Sequence, residues 1–486
     1  MKRLHLKSIL FFFCFFILLL ILNVFNISMI NHNELAKQAS AQRKSTISTG
    51  YCRGCIYDKN MIPIASSPYN NEPEEITSSR YGTEPICTHT IGYLNSDGKG
   101  ANGLEKIFDD KLADNTTPQN TYLTDPFGNK ISEQPVSKAN TTHISPQNLK
   151  TTIDYKIQKI AENAADLHIS RGAIIILDID NFDIVAAVSR PNFDQYNIKD
   201  YLHKTDAPLV NRCFSPYNAG SIFKTITSAA ILENNYNPDL EYRCTGLYNA
   251  EGKEFLCNKS EGHGNISFKT AYADSCNCFF YNHGIITTGE NIIATAKNFG
   301  LGKKLLDLPI SESPGHLPDR FTYTDRECAN ISIGQGEILI TPLQAANIVA
   351  TVANGGISKK INLTDSITDQ KGNLIKNLRH TENKRVISAK NAAIICEMMR
   401  EAVLEGTAQS VQNGKIAIAG KTGTAQTGWQ ENGKTMTHGW FCGFFPYENP
   451  EYAMAVFAEN GKSGSRACIP VFRKIALDIN NLYKLQ

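Results

Sequence analysis

The amino-acid sequence predicts an α+β fold in which strands from both ends of one domain complete a single antiparallel sheet. Two apolar runs of β type, Gly172–Asp178 and Ile184–Ser189, stand near the start of this domain and are separated by a short hairpin turn. Three further runs close the sheet, at Ile416–Thr427, Gly439–Phe445 and Tyr452–Ala458. A long segment rich in helical patterns separates the two sets, and an amphipathic helix follows the last strand. Strands at both ends with helices between them indicate helices packed on an antiparallel sheet.

The N-terminus predicts a single membrane-spanning helix. Residues 1–8 contain Lys2, Arg3 and Lys7, and residues 9–30 are almost entirely apolar. As a helix this run covers roughly 30 Å, the thickness of the hydrocarbon layer. The positive-inside bias predicts residues 1–8 as a cytoplasmic tail and an exported remainder. A cleaved signal peptide is the alternative, suggested by the small residues 39–41, but the apolar run is long for a signal.

Composition divides the exported part into three regions. Residues 31–48 are polar and predict a stalk. Residues 49–148 are rich in Asn, Thr, Ser, Pro and Gly and predict a small, irregular, mostly β module without catalytic residues. Residues 149–486 begin with a helical pattern and predict the main α+β domain. The net charge is +2 and forms no basic stripe, which argues against a nucleic-acid partner. The 13 cysteines do not form a compact disulfide framework.

The first chemical motif is Ser221-Ile222-Phe223-Lys224, at the start of an apolar helical pattern. Positions three apart share a helix face, so the Lys224 amine can reach the Ser221 hydroxyl. A serine becomes a good nucleophile only when a base removes its proton. That requires a lysine with a lowered pKa, and burial, a second nearby cation and the positive end of a helix all lower the pKa of a lysine. Alone, the motif is common in helices by chance.

Two further motifs supply polar groups that suit an acyl-transfer site. Ser275-Cys276-Asn277 offers a hydroxyl that can relay a proton and an amide that can hold a substrate amide. Lys421-Thr422-Gly423-Thr424 lies in a strand-like run, where a strand edge can bind an extended peptide. Gly423 would allow close approach of that backbone, Lys421 would be the second cation, and the two threonine hydroxyls could bind a carboxylate. Each motif alone is equally typical of surface loops or strands.

Together and in this order, the three motifs resemble those of serine penicillin-recognising enzymes, and the chain resembles the class B penicillin-binding proteins, the monofunctional peptidoglycan D,D-transpeptidases. Further similar segments are Arg53–Asp58, Gly103–Lys106, Thr152–Asp154, Gly334–Gly336, Thr341–Gln344 and His438–Phe444. The resemblance implies a transpeptidase domain with a five-stranded antiparallel sheet flanked by helices. It also implies a dimerisation or pedestal-like role for residues 49–148, and a place in the bacterial cytoplasmic membrane with the catalytic domain outside.

The resemblance further implies the roles of the site residues. Ser221 would attack the penultimate D-alanine of a stem peptide, and a neighbouring stem would resolve the acyl-enzyme; no cofactor is needed for this chemistry. Lys224 would be the general base, Ser275 and Lys421 would relay protons, and Asn277 would orient the substrate amide. Thr422 and Thr424 would bind the terminal carboxylate, beside Gly423. β-Lactams would acylate Ser221, and a membrane glycosyltransferase is an expected partner. Elongation, division and sporulation enzymes share these motifs.

Cys244, Cys257, His263 and Cys276 form a complete tetrahedral zinc set of three thiols and one imidazole. Some elongation-type relatives that the segment resembles hold zinc at equivalent positions. Because Cys276 lies between Ser275 and Asn277, a structural zinc there would fix the catalytic loop. A disulfide between Cys244 and Cys257, or free thiols, are the alternatives.

Other readings of the chain are weaker. A bifunctional class A enzyme would need an N-terminal glycosyltransferase domain, for which about 100 residues are too few. A β-lactamase would lack the module at 49–148 and the anchor. A membrane-anchored β-lactam sensor or a catalytically reduced scaffold of the same fold remains the alternative function, although every polar residue of the mechanism is present.

Overall fold

The computed structural model describes residues 2–30, 44–48, 53–66, 80–113, 119–123, 137–138, 146–234, 237, 241–320, 322–431, 434–461 and 463–485. By packing, the chain forms two units. One comprises Met1–Cys52 and Asp114–Ser145, and the other Arg53–Ala113 and Pro146–Gln486. The predicted domain boundaries stay predictions. Most of the predicted stalk, the small residues 39–41, and residues 49–52, 67–79, 114–118, 124–136 and 139–145 of the predicted module lie outside the described residues.

Helices and strands are numbered in chain order. The helices are α1 Lys2–Phe25, α2 Thr88–Ile91, α3 Gly103–Ile107, α4 Asp109–Leu112, α5 Tyr155–His168, α6 Lys224–Glu233, α7 Phe268–Ala273, α8 Asn277–Thr287, α9 Gly289–Asn298, α10 Asp325–Ser332, α11 Pro342–Ala353, α12 Ala389–Leu404, α13 Gly464–Ala467 and α14 Ile469–Tyr483. The strands are β1 Lys44–Ser48, β2 Ile56–Tyr57, β3 Pro63–Ala65, β4 Gln119–Leu123, β5 Ser137–Lys138, β6 Asn148–Thr151, β7 Gly172–Asp178, β8 Ile184–Arg190, β9 Tyr217–Asn218, β10 Glu241–Cys244, β11 Leu247–Ala250, β12 Lys253–Leu256, β13 Gly264–Ser267, β14 Leu339–Ile340, β15 Ile357–Lys359, β16 Thr364–Thr368, β17 Leu374–Asn377, β18 Asn383–Arg385, β19 Ala419–Glu431, β20 Lys434–Phe445 and β21 Tyr452–Ala458. Short 3₁₀ turns cover Ile198–Tyr201, Arg212–Phe214, Gly220–Phe223 and Gln409–Val411, and a π-helical turn covers Asn26–Ile30.

The first unit contains one long apolar helix and a three-stranded sheet. Leu10–Met29 is long and apolar enough to cross a membrane, with a mean hydropathy of 2.7 and none of the segment buried. This is consistent with the predicted single-pass anchor. The sheet has the strand order β1-β4-β5.

The second unit is built on a five-stranded antiparallel sheet with the order β19-β20-β21-β7-β8. Every residue of β8 and β21 is buried, because helices cover both faces of the sheet. Side chains alternate across it: Ile175 and Ala455 face one core, whereas Ile174 and Val456 face the other. α11 packs on the first face and α5 and α14 on the second. The predicted α+β fold, with a sheet completed from both ends of the domain, is confirmed.

A second five-stranded sheet, with the order β17-β16-β6-β2-β3, joins residues from both sides of the predicted boundary at 148. Three residues before β2, Arg53 donates to the fully buried Glu105 carboxylate at 2.8 Å, and Arg80 forms an ion pair with the same carboxylate. Arg53 and Glu105 belong to the Arg53–Asp58 and Gly103–Lys106 segments, which the sequence analysis found to be similar to those of the family. Among residues 53–113 the described structure also contains α2, α3 and α4, which are too short for a helical period to show in the sequence.

Candidate active site

Ser221 lies in the 3₁₀ turn that leads into α6 and is half-buried. The preceding Gly220 has φ +57°, and a Cβ at this position would lie 2.6 Å from the Thr424 carbonyl oxygen. Only glycine tolerates both the backbone conformation and this close approach. The Gly220 N–H donates to the Gly334 carbonyl at 2.9 Å. The turn that carries Ser221 is therefore held between β19 and the Gly334–Gly336 segment.

Lys224, one turn after Ser221, is completely buried. Its amine donates to the Asn277 Oδ1 and to the Ser275 carbonyl at 2.7 Å each, and contacts the Ser275 hydroxyl at 3.1 Å. Among the described residues it forms no ion pair with a carboxylate. Burial lowers the pKa of Lys224 from 10.5 to about 7. A neutral amine is thus accessible near neutral pH.

The segment from Ser275 to Asn277 joins α7 to α8. Ser275 has φ +58°, which is unusual for a residue with a side chain, and the Cys276 sulfur accepts the Phe279 N–H at 3.5 Å at the N-terminus of α8. The Asn277 amide is fixed at both ends, because its Nδ2 donates to the Leu256 carbonyl at 3.3 Å. This contact leaves Oδ1 facing Lys224.

β19 is the edge strand of the main sheet and carries Lys421, Thr422, Gly423 and Thr424. Lys421 is buried, and its amine donates to the Thr422 carbonyl at 3.3 Å. Burial and the positive charge of Lys224 lower the pKa of Lys421 well below its usual value. Thr422 is 8% exposed, whereas Thr424 is open to solvent. An edge strand with exposed side chains beside a nucleophile can bind an extended peptide.

Gly423 allows a second close contact between β19 and the turn that carries Ser221. A Cβ at this position would lie 2.8 Å from Ile222 Cγ2 and 3.1 Å from Trp440 Cβ. The sequence predicted that Gly423 permits a close backbone approach, and in the structure the neighbour is the residue after Ser221.

The structure therefore brings the three predicted motifs together. The Ser221 turn packs on β19, Lys224 binds the Ser275–Asn277 segment, and Lys421 lies close enough to Lys224 for their charges to interact. A direct contact between the Lys224 amine and the Ser221 hydroxyl stays a prediction, as do the catalytic roles.

Three groups that the sequence analysis did not single out also hold the site. They are the Thr407 hydroxyl, 2.8 Å from the Thr422 hydroxyl, the Leu256 carbonyl behind Asn277 and the Gly334 carbonyl behind Gly220. Two of them are backbone groups, whose position no sequence motif reveals. Gly334 belonged to a recognised segment, but its contact with Gly220 was not predicted.

Beside Asn277, Cys244, Cys257, His263 and Cys276 point their ligand atoms at one another, all within 4.8 Å. The Cys244 and Cys257 sulfurs are 3.8 Å apart, and the Cys257 and Cys276 sulfurs 3.7 Å. The His263 Nδ1 lies 3.5 Å from each of the sulfurs of Cys244 and Cys257. All three cysteines are free thiols in the structure. The alternative prediction, a disulfide between Cys244 and Cys257, is therefore not observed.

Comparison with known proteins supports the resemblance. Residues 172–477 match the family described as the penicillin binding protein transpeptidase domain. The "Peptidoglycan D,D-transpeptidase PbpA" of Mycolicibacterium smegmatis is 31% identical over 338 residues, which cover 65% of this chain and 67% of that protein. The "Stage V sporulation protein D" of Bacillus subtilis is 29% identical over 418 residues, or 81% of this chain and 62% of that protein.

Solved structures share the fold. Penicillin-binding protein A from M. tuberculosis, in a ceftriaxone acyl-enzyme complex, superimposes with a TM-score of 0.72 at 24% identity, covering 89% of this chain and 98% of that one. The D,D-transpeptidase domain of a peptidoglycan glycosyltransferase from Eggerthella lenta gives 0.74 at 22% identity, covering 90% and 100%.

Fold and site together define a serine acyltransferase of the penicillin-recognising class. The chain belongs to the penicillin-binding protein transpeptidase family, since the matched region covers more than half of its length. The predicted family and fold are thereby confirmed.

Proposed function

We propose that this protein is a peptidoglycan D,D-transpeptidase that cross-links stem peptides through an acyl-enzyme on Ser221. The observation that carries the proposal is the buried Lys224 amine, one turn after Ser221 and hydrogen-bonded to Ser275 and Asn277. Family membership and the names of the relatives, several of which are peptidoglycan D,D-transpeptidases, support the same reaction.

In the first half of the reaction, the Ser221 Oγ attacks the penultimate D-alanine carbonyl of a stem ending in D-Ala-D-Ala. The Oγ–C bond forms, the peptide C–N bond breaks, and the last D-alanine leaves as an amine that takes up one proton. In the second half, an amine of a neighbouring stem attacks the ester, and Ser221 recovers its proton. One amide bond is exchanged for another, so no cofactor is required.

Lys224 acts as the general base in this proposal. Its lowered pKa lets a sizeable fraction of the amine be neutral near pH 7, and a neutral amine offers one lone pair to a hydroxyl proton. The Ser275 hydroxyl, 3.1 Å from that amine, can pass the proton on to the leaving D-alanine. Lys421 assists this relay from the other side.

β19 binds the substrate in an extended conformation as an additional strand. Thr422 and Thr424 hold the terminal carboxylate, Gly423 keeps the strand against Ile222, and Asn277 orients the substrate amide. The N–H groups of Ser221 and Thr424 form the oxyanion hole, which stabilises the developing negative charge in acyl transfer. β-Lactams imitate the donor and acylate Ser221.

Labelling of membranes with a fluorescent penicillin, together with D-alanine release from a stem pentapeptide, tests this function. Wild type is expected to be labelled and to release D-alanine, whereas Ser221→Ala should do neither. Ser410→Ala, an exposed serine outside the site, is the matched control. Labelling that persists in Ser221→Ala would refute the nucleophile assignment. Labelling without D-alanine release would favour a penicillin-binding sensor or scaffold.

A structural zinc ion held by Cys244, Cys257, His263 and Cys276 is the second part of the proposal. In a tetrahedral site with Zn–S bonds of about 2.3 Å and a Zn–N bond of about 2.0 Å, sulfurs are about 3.8 Å apart and a sulfur and a nitrogen about 3.5 Å. The measured separations of 3.7–3.8 Å and 3.5 Å fit these values. The ion would supply no chemistry to acyl transfer; it would fix Cys276 between Ser275 and Asn277.

Metal analysis of the purified protein tests the ion. One zinc per chain is expected in wild type and none in Cys257→Ser, with Cys396→Ser, a thiol on α12, as control. A wild-type protein without stoichiometric zinc would overturn this part of the proposal and leave the Ser221 chemistry untouched.

The apolar helix Leu10–Met29 anchors the protein in the bacterial cytoplasmic membrane. Lys2, Arg3 and Lys7 precede it, so residues 1–8 stay in the cytoplasm and the catalytic domain faces outward. A membrane glycosyltransferase that makes the glycan strands is the expected partner, with α1 as the contact. Protease added to intact spheroplasts should remove the catalytic domain; protection from protease would contradict this orientation.

A further inference from the structure

Thr407 lies at the meeting point of the Ser275 segment and β19. It follows α12 and is separated from it by Glu405 and Gly406. A Cβ at residue 406 would lie 2.4 Å from the Ala273 carbonyl oxygen, so only glycine lets the chain approach the end of α7 so closely. This approach places Thr407 beside Ala273, two residues before Ser275.

Thr407 makes three polar contacts there. Its N–H and its hydroxyl both donate to the Ala273 carbonyl, at 3.1 and 3.2 Å. Its hydroxyl oxygen is also 2.8 Å from the Thr422 hydroxyl oxygen. The Thr407 side chain thus connects the segment before Ser275 to β19, at the residue next to Lys421.

The protons of these hydroxyls can be assigned from the chemistry of their partners. A carbonyl oxygen only accepts, so when the single Thr407 hydroxyl proton goes to Ala273, the proton between the two threonines comes from Thr422. In this arrangement Thr422 has no proton left for a substrate. A carboxylate is likewise only an acceptor, so it needs a hydroxyl that points a proton toward it.

We propose that Thr407 is a positioning residue for the carboxylate end of the substrate, acting through the Thr422 hydroxyl. The inference rests on the proposed role of Thr422 as a carboxylate ligand. When the carboxylate binds, Thr422 turns its proton toward the substrate, and Thr407 turns its own proton from Ala273 to the Thr422 oxygen. The Ala273 carbonyl keeps the Thr407 N–H, so no buried acceptor loses its last partner.

This exchange requires a hydroxyl at residue 407. A valine has the same shape but offers Thr422 neither an acceptor in the free enzyme nor a donor in the complex. Because Thr422 is only 8% exposed, water replaces such a partner poorly. Thr407 itself is open to solvent on its other side, which gives its hydroxyl room to rotate.

Acylation kinetics with a fluorescent penicillin test the proposal in the full-length protein. Thr407→Val should lower the second-order acylation constant about tenfold, the cost of one functional hydrogen bond. The loss should lie mainly in the apparent dissociation constant, because a carboxylate contact acts on binding. Thr407→Ser should remain within about twofold of wild type.

The decisive measurement repeats Thr407→Val in a Thr422→Val background, where less than about a twofold further loss is expected. Thr427→Val, also on β19, removes a hydroxyl bonded to the Met436 carbonyl of β20; it is the matched control and should acylate normally. Thr407→Ala replaces the valine variant if that protein does not fold.

Three results would overturn the proposal: wild-type kinetics in Thr407→Val, an equal tenfold loss in the Thr422→Val background, or a loss in Thr407→Ser as large as in Thr407→Val. Failure of the proposed function would look different, because the wild type itself would then not be acylated.

Discussion

The two sides of the active site are held in place by different interactions. β19 belongs to the main sheet and the Ser221 turn packs on it; Ile222, Phe223 and Trp440 there are almost completely buried. Ser275 lies between α7 and α8, and Asn277 at the start of α8 is also bonded to the hairpins of residues 241–267, whose strands β10, β12 and β13 are largely exposed. Apolar packing of the first kind stabilises by about 1.5–3 kcal/mol for each large buried side chain. The second side shares such packing through α7 and α8, where Tyr272, Phe279 and Phe280 are fully buried, but it adds polar contacts to the exposed hairpins and the cluster of three thiols and an imidazole.

The comparison teaches that the nucleophile and its proton relay can be disturbed separately. Changes near β19 should act through packing and leave the Ser275 side intact, whereas loss of a cysteine from the proposed zinc site should loosen Ser275 and Asn277. Lys224 connects the two sides, because it is carried by α6 and bonded to Ser275 and Asn277.

The largest effect is expected for Lys224→Met. Methionine fills the buried site but carries no amine, so acylation by a fluorescent penicillin should fall about 1,000-fold because the proposed general base is lost. Lys269→Met, an exposed lysine paired with Glu401, is the control. Acylation within tenfold of wild type in Lys224→Met would exclude Lys224 as the base.

The next largest effect is expected for Cys257→Ser. Without this ligand the hairpins should become mobile, and acylation should fall about 10- to 100-fold. Hydrogen exchange should rise within residues 241–287 and stay unchanged in β19, because only the first region depends on the ligand set.

Cys396→Ser should show the wild-type exchange pattern, since its thiol, bonded to the Val352 carbonyl, is not part of the Cys244–Cys276 cluster. Exchange that rises equally in both regions after Cys257→Ser would refute the separation of the two sides.

The pH dependence of acylation tests the connection between the two sides. The pKa of Lys224 is lowered to about 7, and the neutral form is the base, so its fraction increases as pH rises through about 7. The acylation rate constant should therefore rise about tenfold per pH unit well below pH 7 and level off above it. Single-turnover measurements from pH 5.5 to 9 check this profile. A rate that falls on raising the pH through 7 would show that the charged amine is the active form.

The smallest effect is expected for Gly423→Ala. The added methyl group would lie 2.8 Å from Ile222 Cγ2, a side-chain atom that can move by a few tenths of an ångström. Acylation should fall about three- to fivefold through the displaced Ser221 turn. Ile222→Leu in the same protein removes the Cγ2 methyl group and should recover most of the loss. If the double variant is as slow as Gly423→Ala, the contact with Ile222 is not the cause.

Periodicity and motif order predicted most of the fold and the main site. Gly172–Asp178 and Tyr452–Ala458 were predicted with their observed bounds, because short, continuous apolar runs are the signal of a strand buried on both faces. The start of β20 was predicted five residues late, since Lys434–His438 has no apolar pattern. Backbone contacts such as Leu256 with Asn277 were not predictable, because a carbonyl carries no sequence signal. Thr407 was missed since its importance arises from its neighbours in space.

The position of β21 has a consequence for how the protein is made. β7 pairs along its whole length with β21, Asp178 beside Tyr452, so the central strands of the sheet come from opposite ends of the domain. A chain made from its N-terminus therefore cannot close its sheet until residue 458 has been added. Until then the edge of β7 that pairs with β21 stays open, and such an edge can pair with other chains.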